Sequence, residues 1–84
     1  MNIEVRLFMQ FRKYLPVGAK ENKAIVSLKE KATVDDLLNT LGISEKEQKL
    51  LVINGVSQGA SGEGNCHALK DKDVVLIFPP VGGG

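Results

Sequence analysis

A single amphipathic helix between strand-like segments is the feature that most constrains the fold of this chain. Thr33 can cap the helix, and Asp36 stands three residues later, which is the spacing of a capping box. Apolar residues then recur at helical spacing, at Val34, Leu37, Leu38 and Leu41. Gly42 ends the pattern, with Ile43 placed for the apolar contact of a Schellman stop. A chain of 84 residues with one such stripe has to bury it, and one face of a β-sheet is the simplest partner.

Four segments can supply that sheet. Ile3, Val5 and Leu7 alternate with polar residues, and residues 24–28 repeat this period of two, so both segments are predicted to be strands. Residues 50–53 lead into the turn residues Asn54-Gly55 and make a third strand. Residues 74–78 form a continuous apolar run, which is typical of a central strand. We therefore predict an α+β fold of the β-grasp, or ubiquitin-like, type: a mixed sheet of about four strands with one main helix on one face.

The periodicities also predict a core and some minor elements. Residues 11–15 can form one helical turn, and Ser44 with Glu47 can begin a short second helix. Residues 58–67 read as a loop. The predicted core consists of Ile3, Val5, Leu7, Val26, Leu28, Leu37, Leu38, Leu41, Ile53, Leu76 and Phe78.

Composition restricts the classes of function. The formal net charge is +1 and the basic residues are scattered, which excludes the charge pattern of a nucleic-acid or anionic-membrane binder. The longest apolar run is far too short to span a bilayer, and Met1 is followed by a strand pattern instead of a signal peptide. One cysteine excludes an internal disulfide. We expect a single cytoplasmic domain over residues 1–84, with residues 79–84 as a projecting tail.

The tail is the most unusual segment of the sequence. Together with Phe78, the last residue of the strand before it, the sequence reads Phe78, Pro79, Pro80, Val81, Gly82, Gly83 and Gly84. Three terminal glycines arise by chance in roughly one chain in three thousand at ordinary glycine usage. The proline pair favours an extended conformation, and four further residues add at most roughly 13 Å of reach. We expect Gly82 to Gly84 to be mobile in the free protein and to thread a partner's narrow cleft, since glycine can be gripped closely from both sides.

The carboxylate of Gly84 is the predicted reactive group. A terminal carboxylate is ionised at neutral pH and is a poor electrophile, so it has to be activated, most economically as an acyl-adenylate made from ATP. The chain has no phosphate-binding Gly-Lys-Ser/Thr loop that could do this. The activating enzyme must therefore be a partner, and this chain itself is expected to bind no cofactor and no metal.

Other candidate residues are weaker. Cys66 and His67 are adjacent in a loop, and the chain offers no third ligand of either type, so neither catalysis nor metal binding is predicted there. Phe8 and Phe11 are the aromatic residues proposed for a docking patch, although core packing is the alternative for both.

The combination of motifs resembles the sulfur-carrier β-grasp proteins over essentially the whole chain. The residues that carry the likeness are Phe8, Phe11-Arg12, Thr33-Val34-Asp35-Asp36-Leu37-Leu38, Val52-Ile53-Asn54-Gly55, Leu69 to Val74, and the tail from Phe78 to Gly84. Within that group the chain is most similar to the small subunit of molybdopterin synthase. The turn at residues 70–73 departs from the family pattern, which has glycine where this chain has Lys72.

The resemblance implies a reaction cycle. A ubiquitin-activator-like enzyme joins Gly84 to AMP, a sulfur donor converts the adenylate to a thiocarboxylate, and the charged carrier gives its sulfur to a pterin precursor in complex with the large synthase subunit. The product is the dithiolene of a molybdenum or tungsten cofactor. The large subunit supplies the catalytic residues, so this chain is not catalytic alone.

Three alternatives remain at this point. Sulfur carriers for the thiazole of thiamine belong to the same group, although their tails typically lack the proline pair. A ubiquitin-like modifier joined to lysines through Gly84 belongs to a different class. A β-grasp interaction module with an inert tail is the third.

Overall fold

Five strands and two helices follow one another in the part of the chain that the computed structural model describes, residues 1–44, 46–58 and 67–80. They are β1 (Asn2–Leu7), a 3₁₀ helix (Met9–Tyr14), β2 (Lys23–Ser27), α1 (Val34–Leu41), β3 (Leu50–Ile53), β4 (Val56–Ser57) and β5 (Val74–Phe78). Neither helix of these described residues is long and apolar enough to cross a membrane.

The strands form one mixed sheet in the order β2-β1-β5-β3-β4. β1 and β5 are parallel neighbours at its centre, while the other neighbours are antiparallel. This is the predicted β-grasp arrangement, with five strands in place of about four. The additional strand is β4, which pairs with β3 through a tight turn. Asn54 and Gly55 both have positive φ in this turn, 50° and 85°, as a type I′ hairpin requires.

Helix α1 begins and ends where the sequence predicts. The Thr33 hydroxyl accepts from the Asp36 backbone N–H at 3.4 Å, and Asp36 Oδ2 accepts from the Thr33 backbone N–H at 2.9 Å. Gly42 has a φ of 83°, and the Ile43 backbone N–H donates to the Leu38 carbonyl at 2.9 Å. The capping box and the Schellman stop are thus both confirmed.

The core lies between α1 and one face of the sheet. Val34, Leu37 and Leu38 from the helix pack in one cluster with Ile3, Val5, Leu7, Val26 and Ile53, all of which are buried. Leu28 and Leu41, which the sequence predicts to be core residues, are only partly buried at the margin of the core.

The prediction that Leu76 and Phe78 lie in the core was wrong. Val75 and Ile77 point into the core and are fully buried, whereas Leu76 and Phe78 are half-buried on the opposite, outer face. The pairing with β1 decides this, because Val5 lies beside Val75 and Leu7 beside Ile77. Residues that lie side by side in neighbouring strands share a face of the sheet. A run of five apolar residues has no alternation from which the sequence could reveal that face.

Two minor elements were predicted with different success. The helical turn near residue 11 exists as the 3₁₀ helix, Met9–Tyr14. The short second helix near Ser44 does not form in the described residues of that stretch. There the Ser44 hydroxyl accepts from the Lys46 backbone N–H at 3.1 Å, in a local turn.

Candidate functional site

The tail leaves the sheet from its centre. β5 lies between β1 and β3 and ends at Phe78, after which Pro79 is half-buried and Pro80 is exposed. Val81 to Gly84 fall outside the described residues, as do the expectations of mobility and reactivity that concern them. The described part of the site is therefore the surface from which the tail departs.

An aromatic stack marks the point of departure. The rings of Phe8 and Phe78 lie 4.3 Å apart with an angle of 4° between their planes. The backbone brings them together, since the Phe8 N–H donates to the Ile77 carbonyl at 3.1 Å. A stacked pair of this kind contributes about 0.5–1.5 kcal/mol beyond its buried area. The stack lies at the end of β5, where the tail begins.

Around the stack, apolar side chains cover the middle of the outer sheet face. The register places Leu50 beside Phe78 and Val52 beside Leu76, all on the face opposite α1. We call this set the tail-exit patch; its half-buried members are Phe8, Leu50, Val52, Leu76 and Phe78. It is an apolar surface continuous with the start of the tail, which is the property expected of a protein-binding site.

Polar side chains border the patch on β1. Arg6 Nε donates to Glu4 Oε2 at 2.8 Å, and Arg6 lies beside Leu76 in the sheet. The Arg6 side chain is 45% exposed. Exposed ion pairs add little to stability, typically less than about 1 kcal/mol. The pair therefore contributes little to the stability of the fold.

Phe11 is not part of this surface. The docking patch proposed from sequence included it, but the structure buries it completely in the core. Its N–H donates to the Phe8 carbonyl at 3.1 Å, and its ring centroid lies 6.2 Å from that of Tyr14. The 3₁₀ helix turns the chain around the end of the sheet, so that Phe8 and Phe11 lie on opposite sides. Of the two aromatic candidates, only Phe8 is available to a partner.

The opposite end of β5 is held by a side-chain bridge that the sequence did not reveal. Asn54 Oδ1 accepts from the Val74 N–H and Asn54 Nδ2 donates to Asp73 Oδ1, both at 2.9 Å. Asp73 is 9% exposed, and its second oxygen accepts from the Lys70 N–H at 2.8 Å. The Asn-Gly pair marks a turn in the sequence, but nothing in it announces that the asparagine also anchors another strand.

The tail-exit patch offers apolar contacts for binding. No group of three or more His, Cys, Asp or Glu side chains that could hold a metal occurs among the described residues. His67 is exposed and Cys66 lies outside the described residues. The groups with shifted pKa values also lie elsewhere. The hydrogen bond to Glu47 raises the pKa of Tyr14, and the N–H of Thr33 lowers the pKa of Asp36.

Comparison with known proteins identifies relatives of the same architecture. A model of the ThiS family matches residues 5–84, and no curated protein matches the chain by sequence. A Pyrococcus furiosus structure assigned as molybdopterin converting factor subunit 1 is 26% identical with a TM-score of 0.70, over 95% of this chain and 98% of that one.

Two further solved structures come from other archaea. The Haloferax volcanii HVO 2177 protein is 30% identical with a TM-score of 0.74, over 100% of this chain and 87% of that one. The small archaeal modifier protein 1 of Methanosarcina acetivorans is 26% identical with a TM-score of 0.67, over 99% of this chain and 96% of that one.

Proposed function

Because this chain belongs to the ThiS family, we propose that it is a cytoplasmic sulfur carrier for molybdopterin synthesis, with Gly84 as the residue that bears the sulfur. The observation that carries the proposal is the tail-exit patch. An apolar surface surrounds the root of a Pro-Pro-Val-Gly-Gly-Gly tail, so that body and tail can bind one partner as a single unit. The likeness to a protein assigned as molybdopterin converting factor subunit 1 supports the choice of pathway.

The chemistry requires three partners. An adenylating enzyme transfers AMP from ATP to the Gly84 carboxylate and releases pyrophosphate. A sulfur donor then supplies hydrosulfide, which attacks the acyl carbon and expels AMP, so that a thiocarboxylate remains. In the large synthase subunit the thiocarboxylate sulfur passes to the pterin precursor, and water restores the carboxylate. Glycine suits this cycle because no side chain hinders attack on the acyl carbon.

The docking surface has to come largely from the folded body. A specific protein interface commonly buries about 1,600 Å² in total, which a tail of six residues cannot provide alone. The tail-exit patch supplies apolar area, and the neighbouring Arg6–Glu4 pair supplies polar contacts at its border. Stiff prolines between the patch and the glycines lower the ordering cost when the tail enters a cleft.

Intact-mass spectrometry tests the proposal directly. After incubation with ATP, the adenylating enzyme and a sulfur source, the chain should gain the mass difference between one sulfur and one oxygen atom. Deleting Gly84, or adding one residue after it, should abolish the gain, and Cys66→Ser should leave it intact. If Cys66→Ser prevents the gain, the assignment of Gly84 as the only reactive residue is wrong.

Protein modification is a second candidate function. It is favoured by the likeness to the small archaeal modifier protein 1 of M. acetivorans. The same adenylate would then form an amide with a lysine of a target protein in place of a thiocarboxylate. A ladder of lysine-linked conjugates in cells that express a tagged chain would support this function. Co-purification with a pterin-binding large subunit would support sulfur transfer to molybdopterin, and co-purification with a thiazole synthase would support the thiamine pathway.

A further inference from the structure

We propose that the free edge of β2 and the groove beside it form a second docking site, in which an extended acidic segment of a partner protein adds to the sheet as a further strand. This site is distinct from the tail-exit patch and does not depend on the chemistry proposed for Gly84.

The backbone of β2 offers an open edge. β2 is the terminal strand of the sheet, and β1 is the one strand that it pairs with in the described part of the chain. On its outer side, Lys23 at the start of the strand is bridged to Lys20. The Leu7 N–H donates to the Asn22 carbonyl and the Leu28 N–H to the Met1 carbonyl, so even-numbered residues of this stretch face β1. Alternation then directs the N–H and C=O groups of Ile25 and Ser27 away from the sheet. These groups are in position to pair with an added strand.

A groove runs beside this edge. Its volume is about 310 Å³, and it is lined by Pro16, Val17, Gly18, Ala19, Lys20, Lys23, Ala24 and Ile25. The far wall is a turn in which the Ala19 N–H donates to the Pro16 carbonyl at 3.1 Å and Gly18 has a φ of 91°. The turn holds Val17 fully exposed at its tip, and Ile25 across the groove is 59% exposed.

Two exposed apolar side chains lie beside the open edge of β2. Such edges pair readily with other chains, and proteins usually protect them with charges, prolines or bulges. β2 instead presents Ile25 in the middle of the edge, opposite a second exposed apolar side chain, Val17. Strand addition uses both features, because the edge provides the hydrogen bonds and flanking apolar side chains provide the contact area.

The positive charges of the groove indicate which kind of segment it can bind. Lys20 and Lys23 lie at one end, where their backbone groups bond to each other at 2.9 and 3.1 Å. None of the described residues that line the groove is acidic. Glu21, which stands between the two lysines in sequence, lines a different depression with Phe8, Met9, Arg12 and Asn22. The groove therefore complements a partner segment that has apolar residues with carboxylates before or after them.

The position of the edge leaves the tail-exit patch accessible. β1 separates β2 from β5, so an added strand would lie three strand spacings, roughly 14 Å, from β5. One partner can thus hold the tail while another holds the β2 edge. The chain can carry its reactive end to one protein while tethered to a second.

An NMR titration of the full chain tests this site. The probe is the acetylated peptide Asp-Asp-Val-Thr-Val-Thr-Val, which combines an extended apolar stretch with carboxylates at one end. We expect amide shift changes confined to residues 17–27 and slowed hydrogen exchange at Ile25 and Ser27. The double variant K20Q/K23Q should bind the probe roughly five-fold more weakly at low salt, with the difference reduced at high salt. The matched variant K46Q/K70Q, with two exposed lysines outside the groove, should bind as the parent does.

Backbone methylation of the probe distinguishes strand addition from simple apolar contact. Two versions carry N-methyl groups on alternate residues, in opposite phase. A strand that pairs with β2 directs only alternate N–H groups towards it, so one version should lose binding and the other should keep it. Equal binding of both versions, absence of any shift, or shifts centred on the tail-exit patch would overturn the proposal. The proposal would also be overturned if sedimentation showed that the chain dimerises and the amide shifts placed the contact between copies at β2.

Discussion

Lys72 has a φ of 71°, a backbone conformation that normally belongs to glycine. It stands in the turn before β5, where its N–H donates to the Asn2 carbonyl at 2.7 Å. The turn thus keeps its left-handed residue even though the side chain there is lysine. This chain has lysine where the family pattern has glycine, but the residue still has a positive φ.

Lys72→Gly is expected to stabilise the protein by about 0.5–1 kcal/mol, because relief of left-handed strain outweighs the greater freedom of glycine in the unfolded chain. Urea denaturation measures the difference. Lys70→Gly, which removes the same charge from the same turn at a residue without positive φ, should lower stability by a similar amount. Equal losses for both variants would show that residue 72 carries no strain.

The ionisation of Asp36 makes the stability of the capping box at the start of α1 depend on pH. The N–H of Thr33 donates to its carboxylate and lowers its pKa in the folded chain. A group with a lowered folded pKa contributes stability that is present above its unfolded pKa, about 3.9, and lost as the pH falls through the folded value. The contribution is therefore complete at neutral pH and disappears in acid.

Asp36→Asn should accordingly destabilise the protein at neutral pH and flatten the loss of stability below about pH 4. Thermal unfolding followed by circular dichroism between neutral and acidic pH measures both effects. Asp35→Asn removes a charge from the same helical turn without touching the capping box and serves as the control. An unchanged acid profile in Asp36→Asn would mean that another group governs the transition.

At the scale of elements, burial in α1 and β5 follows from which side chains face the space between helix and sheet. Leu38 is 1% exposed in the middle of the helical stripe. Leu38→Ala should cost about 2–5 kcal/mol of unfolding free energy, because it leaves a cavity in the core. Chemical denaturation provides the measurement, with the exposed Asn39→Ala as the control. A negligible loss in Leu38→Ala would remove the helix stripe from the core.

Two neighbouring residues of β5 lie on opposite faces of the sheet and differ in burial. Ile77 is fully buried and Leu76, its neighbour, is half-buried on the outer face. Ile77→Ala should cost about 2–5 kcal/mol, and Leu76→Ala distinctly less. On the proposed function, Leu76→Ala should instead weaken binding to the proposed large-subunit partner, measured by calorimetry. The reverse order of stability losses would place Leu76 in the core, as the sequence predicts, and Ile77 on the outer face.

At the scale of the whole molecule, the central strand β5 ends in the tail-exit patch, and the tail begins there. Replacing Pro79 and Pro80 with glycine should weaken binding to the large subunit, because a flexible root loses more entropy on ordering. The melting temperature should hardly change, since both residues follow the last strand. Pro16→Gly, in a distant turn, is the matched control for the loss of a proline. If the double variant binds like the parent, rigid projection of the tail is not used.

The local features of this protein were readable in its sequence. The cap at Thr33, the stop at Gly42 and the alternation in β1 all express interactions between residues close together in the chain, so short-range patterns contain them. The composition of the tail was equally plain. From these alone the β-grasp architecture and the family resemblance could be predicted.

Only the tertiary structure decided which side of the sheet several residues occupy. The apolar run of β5 fits either face, and its register was set by pairing with β1, about 70 positions earlier in the chain. The same pairing brought Phe78 onto Phe8 and left Phe11 to the core. The bond from Asn54 to Asp73 likewise joins residues 19 positions apart. These contacts depend on the assembled sheet, because sequence patterns report which residues prefer burial but not which distant partners bury them.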